Sequence, residues 1–160
     1  MSVSAAPKNL IDGVEVKKLK VLPDGRGRLM EMVRSDDPFF TSFGQVYMTS
    51  VYPGVVKGWH YHKKQVDHFV CVQGMVKVVL YDGRKDSPTS GAVNEFFMGV
   101  HQPILLRIPP FVLHGMEGIG DEEALIINVS SELYHYDSPD EFRVDPHSSE
   151  IPYVWGTQDG

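Results

Sequence analysis

The sequence predicts an all-β protein, a sandwich or barrel of short strands. Many short apolar runs are each bounded by glycine or proline, which is typical of that class. No long window shows apolar residues at helical spacing. His60 and His62 lie two residues apart in one predicted strand, and His114 follows another apolar run. Three histidines among apolar strands indicate a polar site inside the barrel.

The predicted strands follow one another from residue 14 to residue 129. They cover 14–22, 28–33, 45–51, the stretch around His60, 67–72, 76–81, 93–98, 104–108 and 124–129. Turn signals separate them at Pro23-Asp24-Gly25, Pro53-Gly54, Gly74, the loop 82–90 and Pro109-Pro110. Residues 1 to about 12 are expected to be frayed.

The last thirty residues are rich in aromatic side chains. Five large ones occur there: Tyr134, Tyr136, Phe142, Tyr153 and Trp155. So much apolar area is expected to pack on the barrel or on a partner subunit. We therefore predict one domain over 1–160, with a core at about 14–130 and an aromatic tail at 131–160.

Composition narrows the possible functions. The 160 residues are 42% hydrophobic and 22% charged, as in an ordinary globular domain of sufficient size for one core. A net charge of −6 argues against a nucleic-acid surface. The single cysteine, Cys71, lies in an apolar strand and is expected to be a core residue. No signal peptide or apolar run near eighteen residues is seen, so we expect a cytoplasmic protein without membrane contact.

The histidine pair has the geometry of a shared site. Alternate residues of a strand point to one face, so His60 and His62 aim into one cavity, roughly 6.5 Å apart at the backbone. A lone histidine is more often a satisfied core or surface residue. For His68, His101, His135 and His147 we expect positions in solvated loops.

Two motifs of the cupin superfamily are present with moderate specificity. Gly54-x5-His60-x-His62-x4-Asp67-x6-Gly74 resembles the first, with aspartate where glutamate is usual. Pro109-x-Phe111-x2-His114 resembles the second, with phenylalanine in place of glycine. The resemblance implies a cupin jelly-roll barrel. In metal-binding cupins His60, His62, Asp67 and His114 would be ligands of Fe, Mn, Ni or Zn.

A second resemblance covers more of the chain. The segment FGQVYMTSVYPGVVKGWHYH, residues 43–62, is similar to dTDP-4-dehydrorhamnose 3,5-epimerases. Further motifs of that family occur in the same order: Asp24-x-Arg26-Gly27, then Glu31 and Arg34, Ser-Pro-Thr-x-Gly at 87–91, Pro-x4-His-Gly at 109–115 and SPDEFRVDP at 138–146.

That resemblance implies roles for individual residues. His60 would be the base that removes a proton beside the sugar ketone, a task for which the pKa of imidazole is suited. Arg26, Glu31, Gln45 and Lys57 would contact the nucleotide or its diphosphate. Lys57 replaces an arginine, so a point charge stands where the family has a bidentate fork.

The sequence also departs from the epimerases. The position of the family's catalytic lysine is matched by Asp67, and the catalytic tyrosine aligns with Ile127. The aspartate that orients the base histidine has no counterpart. We therefore expect a different member of the superfamily, or a different reaction on a similar substrate.

A third resemblance is local. The segment HYHKKQVDHFVCVQGMVKVVLYDG, residues 60–83, is similar to dTDP-sugar 3,4-ketoisomerases, in which both histidines move protons between adjacent sugar carbons. An upstream tyrosine of those enzymes aligns with Tyr47. Both families act without a metal, so no metal or other cofactor is expected.

The predicted function is that of a nucleotide-sugar epimerase or isomerase acting on a dTDP-4-keto-6-deoxyhexose in polysaccharide biosynthesis. His60 is the predicted base, His62 or His114 would polarise the ketone or orient His60, and Tyr47, Tyr134 or Tyr136 would return a proton. A homodimer is expected, because these relatives build the nucleotide pocket partly from a neighbouring subunit. The alternatives are a 3,4-ketoisomerase, a metal-dependent cupin and a sugar-binding cupin without activity.

Overall fold

A computed structural model describes residues 7–156, and these residues form β-strands and no helix. The twelve strands are β1 Glu15–Lys18, β2 Val21–Asp24, β3 Gly27–Met30, β4 Gln45–Val51, β5 Val56–Tyr61, β6 Asp67–Gln73, β7 Met75–Tyr81, β8 Val93–Gly99, β9 Ile104–Ile108, β10 Leu113–Ile119, β11 Ala124–Ser130 and β12 Phe142–Arg143. The expectation of a frayed start over residues 1 to about 12 is wrong for Ile11, which is buried and whose N–H donates to Asn94. Residues 1–6 lie outside the described part.

Ten of the strands form two antiparallel sheets that face each other. We call the sheet of order β1-β9-β6-β11-β4 the front sheet and the sheet of order β12-β5-β10-β7-β8 the back sheet. The largest apolar cluster lies between them and includes Phe69, Val78, Leu106 and Ile126. The remaining two strands, β2 and β3, pair only with each other as a separate hairpin. The predicted all-β jelly roll is confirmed.

Most predicted strands agree with the structure, and two differences have clear causes. The predicted strand 14–22 is wrong as one element, because the chain leaves the front sheet after Lys18 and enters the hairpin at Val21. The sequence predicts only a strand end at His114, whereas the structure has a full strand there, β10. Its two glycines resemble turn signals, but Gly115 is required by packing, since a Cβ there would lie 2.8 Å from the Trp155 ring.

The end of the tail seals the outer face of the back sheet. Trp155 and Ile151 are buried against Trp59 and Val79. Lys77 forms a buried ion pair with Glu117 at 2.6 Å, and its Nζ also donates to the carbonyl of Gly156. The tail is therefore held behind the strands that carry His60 and His114. By contrast, Tyr136 is 87% exposed.

The prediction that His68 lies in a solvated loop is wrong. His68 is fully buried, donates through Nδ1 to the carbonyl of Val129 and packs beside the rings of Phe39 and Phe40. The loop 35–42 covers this part of the front sheet, which local sequence does not reveal. His101, His135 and His147 are exposed, as expected. Cys71 is buried in the core, and burial raises the pKa of its thiol to about 11.

Within residues 7–156, no helix is long and apolar enough to cross a membrane.

Candidate active site

A cavity of about 690 Å³ opens between the two sheets. Seven residues predicted from the sequence line it: His60, His62, Tyr47, Gln45, Lys57, Tyr134 and Tyr136. Strand β4 of the front sheet supplies Gln45 and Tyr47, while β5 of the back sheet supplies Lys57 and His60. A molecule in this cavity would therefore be flanked by side chains from both sheets.

The three predicted histidines come together at the inner end of the cavity. Strands β5 and β10 pair so that His60 stands directly opposite His114, and their ring centroids are 4.1 Å apart. His62 lies just beyond the end of β5, and its ring is 5.7 Å from that of His114. One ring nitrogen of each histidine lies within 4.8 Å of the others. His114 is not part of the cavity lining, so its place behind His60 favours an orienting role.

Phe111, which replaces the glycine of the second cupin motif, lies at a turn that places His114. Phe111 adopts the left-handed conformation, with φ of 64°, which glycine adopts at less cost. Its N–H donates to the carbonyl of His62. This turn leads β10 back beside β5 and so places His114.

A buried carboxylate joins the histidines. Asp67 Oδ2 lies 3.3 Å from Nε2 of His62 and 3.3 Å from Nε2 of His114. Its other oxygen, Oδ1, accepts from the side-chain amides of Gln65 and Asn128, each at 2.7 Å. Burial alone would raise the pKa of Asp67, but the two histidines outweigh it and hold the pKa well below its ordinary value. Asp67 is therefore a carboxylate in the folded protein.

The pKa values of His60, in β5, and His62, just beyond the end of β5, are shifted in opposite directions. Burial, and then the neighbouring His114, lower the pKa of His60 well below 6.5. Burial also acts against charge on His62, but Asp67 and the carbonyl of Asp140 outweigh it and raise the pKa to about 9. At neutral pH a neutral imidazole thus lies beside an imidazolium. Paired groups whose pKa values are driven apart are typical of acid and base partners.

This arrangement makes a prediction about pH and stability. His62 has a folded pKa of about 9 against an ordinary value of 6.5. Its contribution to stability is fully present below pH 6.5 and is lost as the pH rises through 9. We expect the free energy of unfolding to fall by about 3 kcal/mol across that range, measured by urea denaturation. In His62→Gln the fall should largely disappear, and an unchanged fall in that variant would contradict the assignment.

Tyr47 faces the histidines from the other sheet. Its hydroxyl accepts a hydrogen bond of 2.8 Å from the Nδ2 amide of Asn128. Burial, and then the charge of Asp67, raise the pKa of the phenol to about 12. The phenol therefore keeps its proton at neutral pH.

Two predicted binding residues do not reach the cavity of their own chain. Arg26 lies at the turn of the β2–β3 hairpin, with its side chain 91% exposed and bound to Asp24. Glu31 is also exposed and pairs with Arg34. Neither is among the residues that line the cavity. Gln45 is at the cavity wall, where its side-chain oxygen accepts from the N–H of Tyr134.

Several residues of the site were not identified from the sequence. Gln65 and Asn128 bind Asp67, and Asn128 was the one polar residue in an otherwise apolar strand, which was a usable signal. Asp140 accepts three backbone N–H bonds from residues 63–65, and its carbonyl accepts from Nδ1 of His62. Arg143 lines the cavity and stands opposite His60 in the β12–β5 pairing.

The same cluster has a donor set suited to a metal ion. Nδ1 of His62 and Nδ1 of His114 each donate to a backbone carbonyl, so in the neutral form Nε2 carries the lone pair. Both Nε2 atoms are directed at Asp67, and Nε2 of His114 is buried with no hydrogen-bond partner among the described residues. Histidines held through one nitrogen and free at the other are typical of metal ligands. With His60, the residues fit an ion that prefers imidazole and carboxylate.

A jelly roll with a histidine and carboxylate cluster between its sheets defines a cupin. The family described as the polysaccharide biosynthesis C-terminal domain matches residues 22–142, three quarters of the chain, and the chain belongs to this family.

Individual relatives agree with that class. The chain is 46% identical over 136 residues to a probable low-salt glycan biosynthesis epimerase, Agl13, of Haloferax volcanii, covering 84% of this chain and 87% of that protein. It is 42% identical to the spore coat polysaccharide biosynthesis protein SpsL of Bacillus subtilis, covering 93% of this chain and 99% of the relative.

Solved structures show the same relationship. A dTDP sugar isomerase from Desulfovibrio desulfuricans G20 superposes with a TM-score of 0.88 at 33% identity, covering 98% of each chain. Epimerases of dTDP sugars are also among the structural neighbours. The predicted resemblance to cupin sugar-nucleotide epimerases is confirmed, and so is the prediction of an enzyme of the epimerase or isomerase class.

Proposed function

We propose that this protein epimerises or isomerises a nucleoside-diphosphate-linked 4-keto-6-deoxyhexose by removing a proton from a carbon next to the ketone. His60 is the base. The observation that carries the proposal is the pair at the inner end of the cavity, in which a neutral His60 lies beside a positively charged His62.

The pair supplies what this chemistry requires. Removal of the proton leaves negative charge on the ketone oxygen, and a nearby cation or hydrogen-bond donor stabilises that charge. His62 is charged and lines the cavity, so it takes that part here. The epimerases use a lysine where this chain has Asp67, and Asp67 instead keeps His62 protonated.

The cavity mouth is suited to the diphosphate. Among the described lining residues, Lys57 and Arg143 carry the permanent positive charges. Arg143 is paired with Glu141 at 2.9 Å, so its guanidinium would exchange a surface partner for phosphate. Gln45 and Tyr134 are hydrogen-bonded to each other and line one part of the cavity, where a nucleoside would bind.

Deuterium exchange tests the proposal. The purified protein is incubated in D₂O with dTDP-4-keto-6-deoxyglucose, and each carbon-bound position is followed by NMR. We expect exchange next to the ketone, at C3, C5 or both. Exchange at no position with several nucleotide sugars would leave the sugar-binding cupin without activity as the better explanation.

A second copy of the chain would complete the pocket. The hairpin that carries Arg26 pairs with neither sheet of its own chain and exposes Leu22 and Leu29. On its face away from the cavity, the front sheet leaves Val46 and Met48 of its edge strand β4 exposed. We propose a homodimer in which each hairpin brings Arg26 and Glu31 to the cavity of the partner.

Complementation checks this arrangement. Arg26→Ala and His60→Ala should each be inactive as pure dimers. Each mixed dimer regains both residues at one of its two sites, so random pairing restores about a quarter of all sites in the mixture and activity should reappear on co-refolding. If the mixture stays inactive while co-purification of differently tagged chains shows mixed dimers, Arg26 does not act in the partner's cavity.

A metal-dependent cupin is the second candidate, favoured by the buried Nε2 of His114 and its approach to Asp67. His60, His62, His114 and Asp67 would hold the ion, which would supply Lewis-acid polarisation of the ketone. Metal analysis of the purified protein and assay after dialysis against EDTA distinguish the two. Metal-free protein with full exchange activity supports the first candidate, and activity that requires stoichiometric metal supports the second.

A further inference from the structure

Tyr47 and Asn128 form a second proton-handling group on the opposite wall of the cavity. The two residues stand directly opposite each other in the β4–β11 pairing of the front sheet. His60 belongs to β5 of the back sheet. A sugar ring between the sheets would thus have His60 on one face and the phenol of Tyr47 on the other.

The hydrogen bonds of Asn128 fix its orientation. Its Oδ1 accepts from the backbone N–H of His68 at 3.0 Å. Its Nδ2 donates to Asp67 Oδ1 at 2.7 Å and to the hydroxyl of Tyr47 at 2.8 Å. Because an amide has two N–H bonds, both are used, and the side chain is held in one orientation inside a fully buried position.

This orientation decides how Tyr47 can act. The phenol oxygen accepts from Asn128, so its own proton is available to another acceptor. Tyr47 lines the cavity, and its raised pKa keeps the proton in place until an acceptor needs it. Ile127, which aligns with the epimerase tyrosine, pairs instead with the exposed Met48 and is absent from the cavity lining. The phenol therefore comes from the neighbouring strand.

We propose that Asn128 is a positioning residue that directs the phenol proton of Tyr47 into the cavity, and that this couples proton removal to inversion. The inference rests on the proposed function. His60 takes the proton as the C–H bond breaks, and the electron pair moves into the enolate. Tyr47 then gives its proton to the opposite face of the same carbon. The phenolate regains a proton from solvent, and the His60 imidazolium loses one to solvent.

Two rates separate this role from the function itself. The first is deuterium exchange into recovered substrate, which needs His60 and His62 but no acid on the opposite face. The second is formation of the inverted sugar, which also needs Tyr47. In Asn128→Ala we expect the ratio of inversion to exchange to fall about tenfold or more, since a general acid contributes 10²–10⁴-fold. Tyr47→Phe should show the same separation.

A double variant tests whether the two residues act together. If Asn128 acts through Tyr47, Asn128→Ala lowers inversion no further in the Tyr47→Phe background. Additive losses would show a general structural effect and overturn the proposal. Asn94→Ala, which removes another buried asparagine remote from the cavity, controls for stability and should leave the ratio of the two rates unchanged.

The possible failures are distinguishable. No exchange in the wild-type protein would count against the proposed function. Normal exchange together with unchanged inversion in Tyr47→Phe would overturn the inference alone. Because Tyr47 is 39% exposed, this variant should fold even where Asn128→Ala does not.

Discussion

Replacement of His60 by alanine is expected to abolish deuterium exchange into the substrate. A positioned general base contributes about 10²–10⁴-fold, so the exchange rate should fall by about a thousandfold. The fold should survive, because the His60 side chain borders the cavity and makes no hydrogen bond to a described residue. NMR measures the exchange, and urea denaturation measures the stability of the same preparation.

The control for this variant is His101→Ala. His101 is exposed and remote from the cavity lining, so its loss should change neither rate nor stability. If His60→Ala retained wild-type exchange, another group would be the base. His60→Gln provides a second version that preserves most of the side-chain volume.

The second large effect is expected for Asp67→Asn. The amide occupies the same volume and can still accept from Gln65 and Asn128 through Oδ1. Its N–H would face Nε2 of His62, which favours the neutral imidazole. The pKa of His62 should therefore fall from about 9 toward its ordinary value. With that cation lost at neutral pH, we expect exchange to drop about a hundredfold, in the range reported for removal of one oxyanion-stabilising group.

Two measurements identify the cause of this loss. A pH profile should show partial recovery of Asp67→Asn below pH 6.5, where His62 regains its proton while the more strongly shifted His60 remains neutral. Breaking a buried ion pair should also cost about 3–5 kcal/mol of unfolding free energy. Asp82→Asn alters another fully buried aspartate, bound to Arg84, and should lower stability without changing the pH profile of exchange. A flat profile in Asp67→Asn, at wild-type rate, would remove Asp67 and His62 from the mechanism.

Two catalytic residues of the epimerases have no counterpart in this sequence, but other side chains of the cavity carry comparable chemical groups. Sequence comparison pointed to a missing lysine and a missing tyrosine. In the structure, His62 lines the cavity with its pKa raised to about 9, and the phenol of Tyr47 lies on the strand next to that of Ile127. Both side chains are linked to Asp67. His62 contacts it directly, and Tyr47 is linked to it through Asn128. A single buried carboxylate thus links the two sides of the cavity.

The sequence by itself determined the class of fold and the main members of the site. Glycine and proline at the ends of short apolar runs limit the chain to strands, and strand alternation places alternate residues on one face. Those two rules were sufficient for β4 and β9, whose predicted bounds agree with the structure, and for the grouping of His60 with His62. They failed for His68, whose covering loop lies about thirty residues earlier in the chain.

Only the tertiary structure decided what each polar group does. The pairing of His60 with His114, and of Tyr47 with Asn128, depends on the register between strands that are 54 and 81 residues apart in the chain. Register is a property of the assembled sheet and not of any local segment. The protonation states follow from the same cause, because desolvation and neighbouring charge exist only once the sheets have packed. Identical imidazoles at positions 60 and 62 thereby acquire pKa values that are shifted in opposite directions.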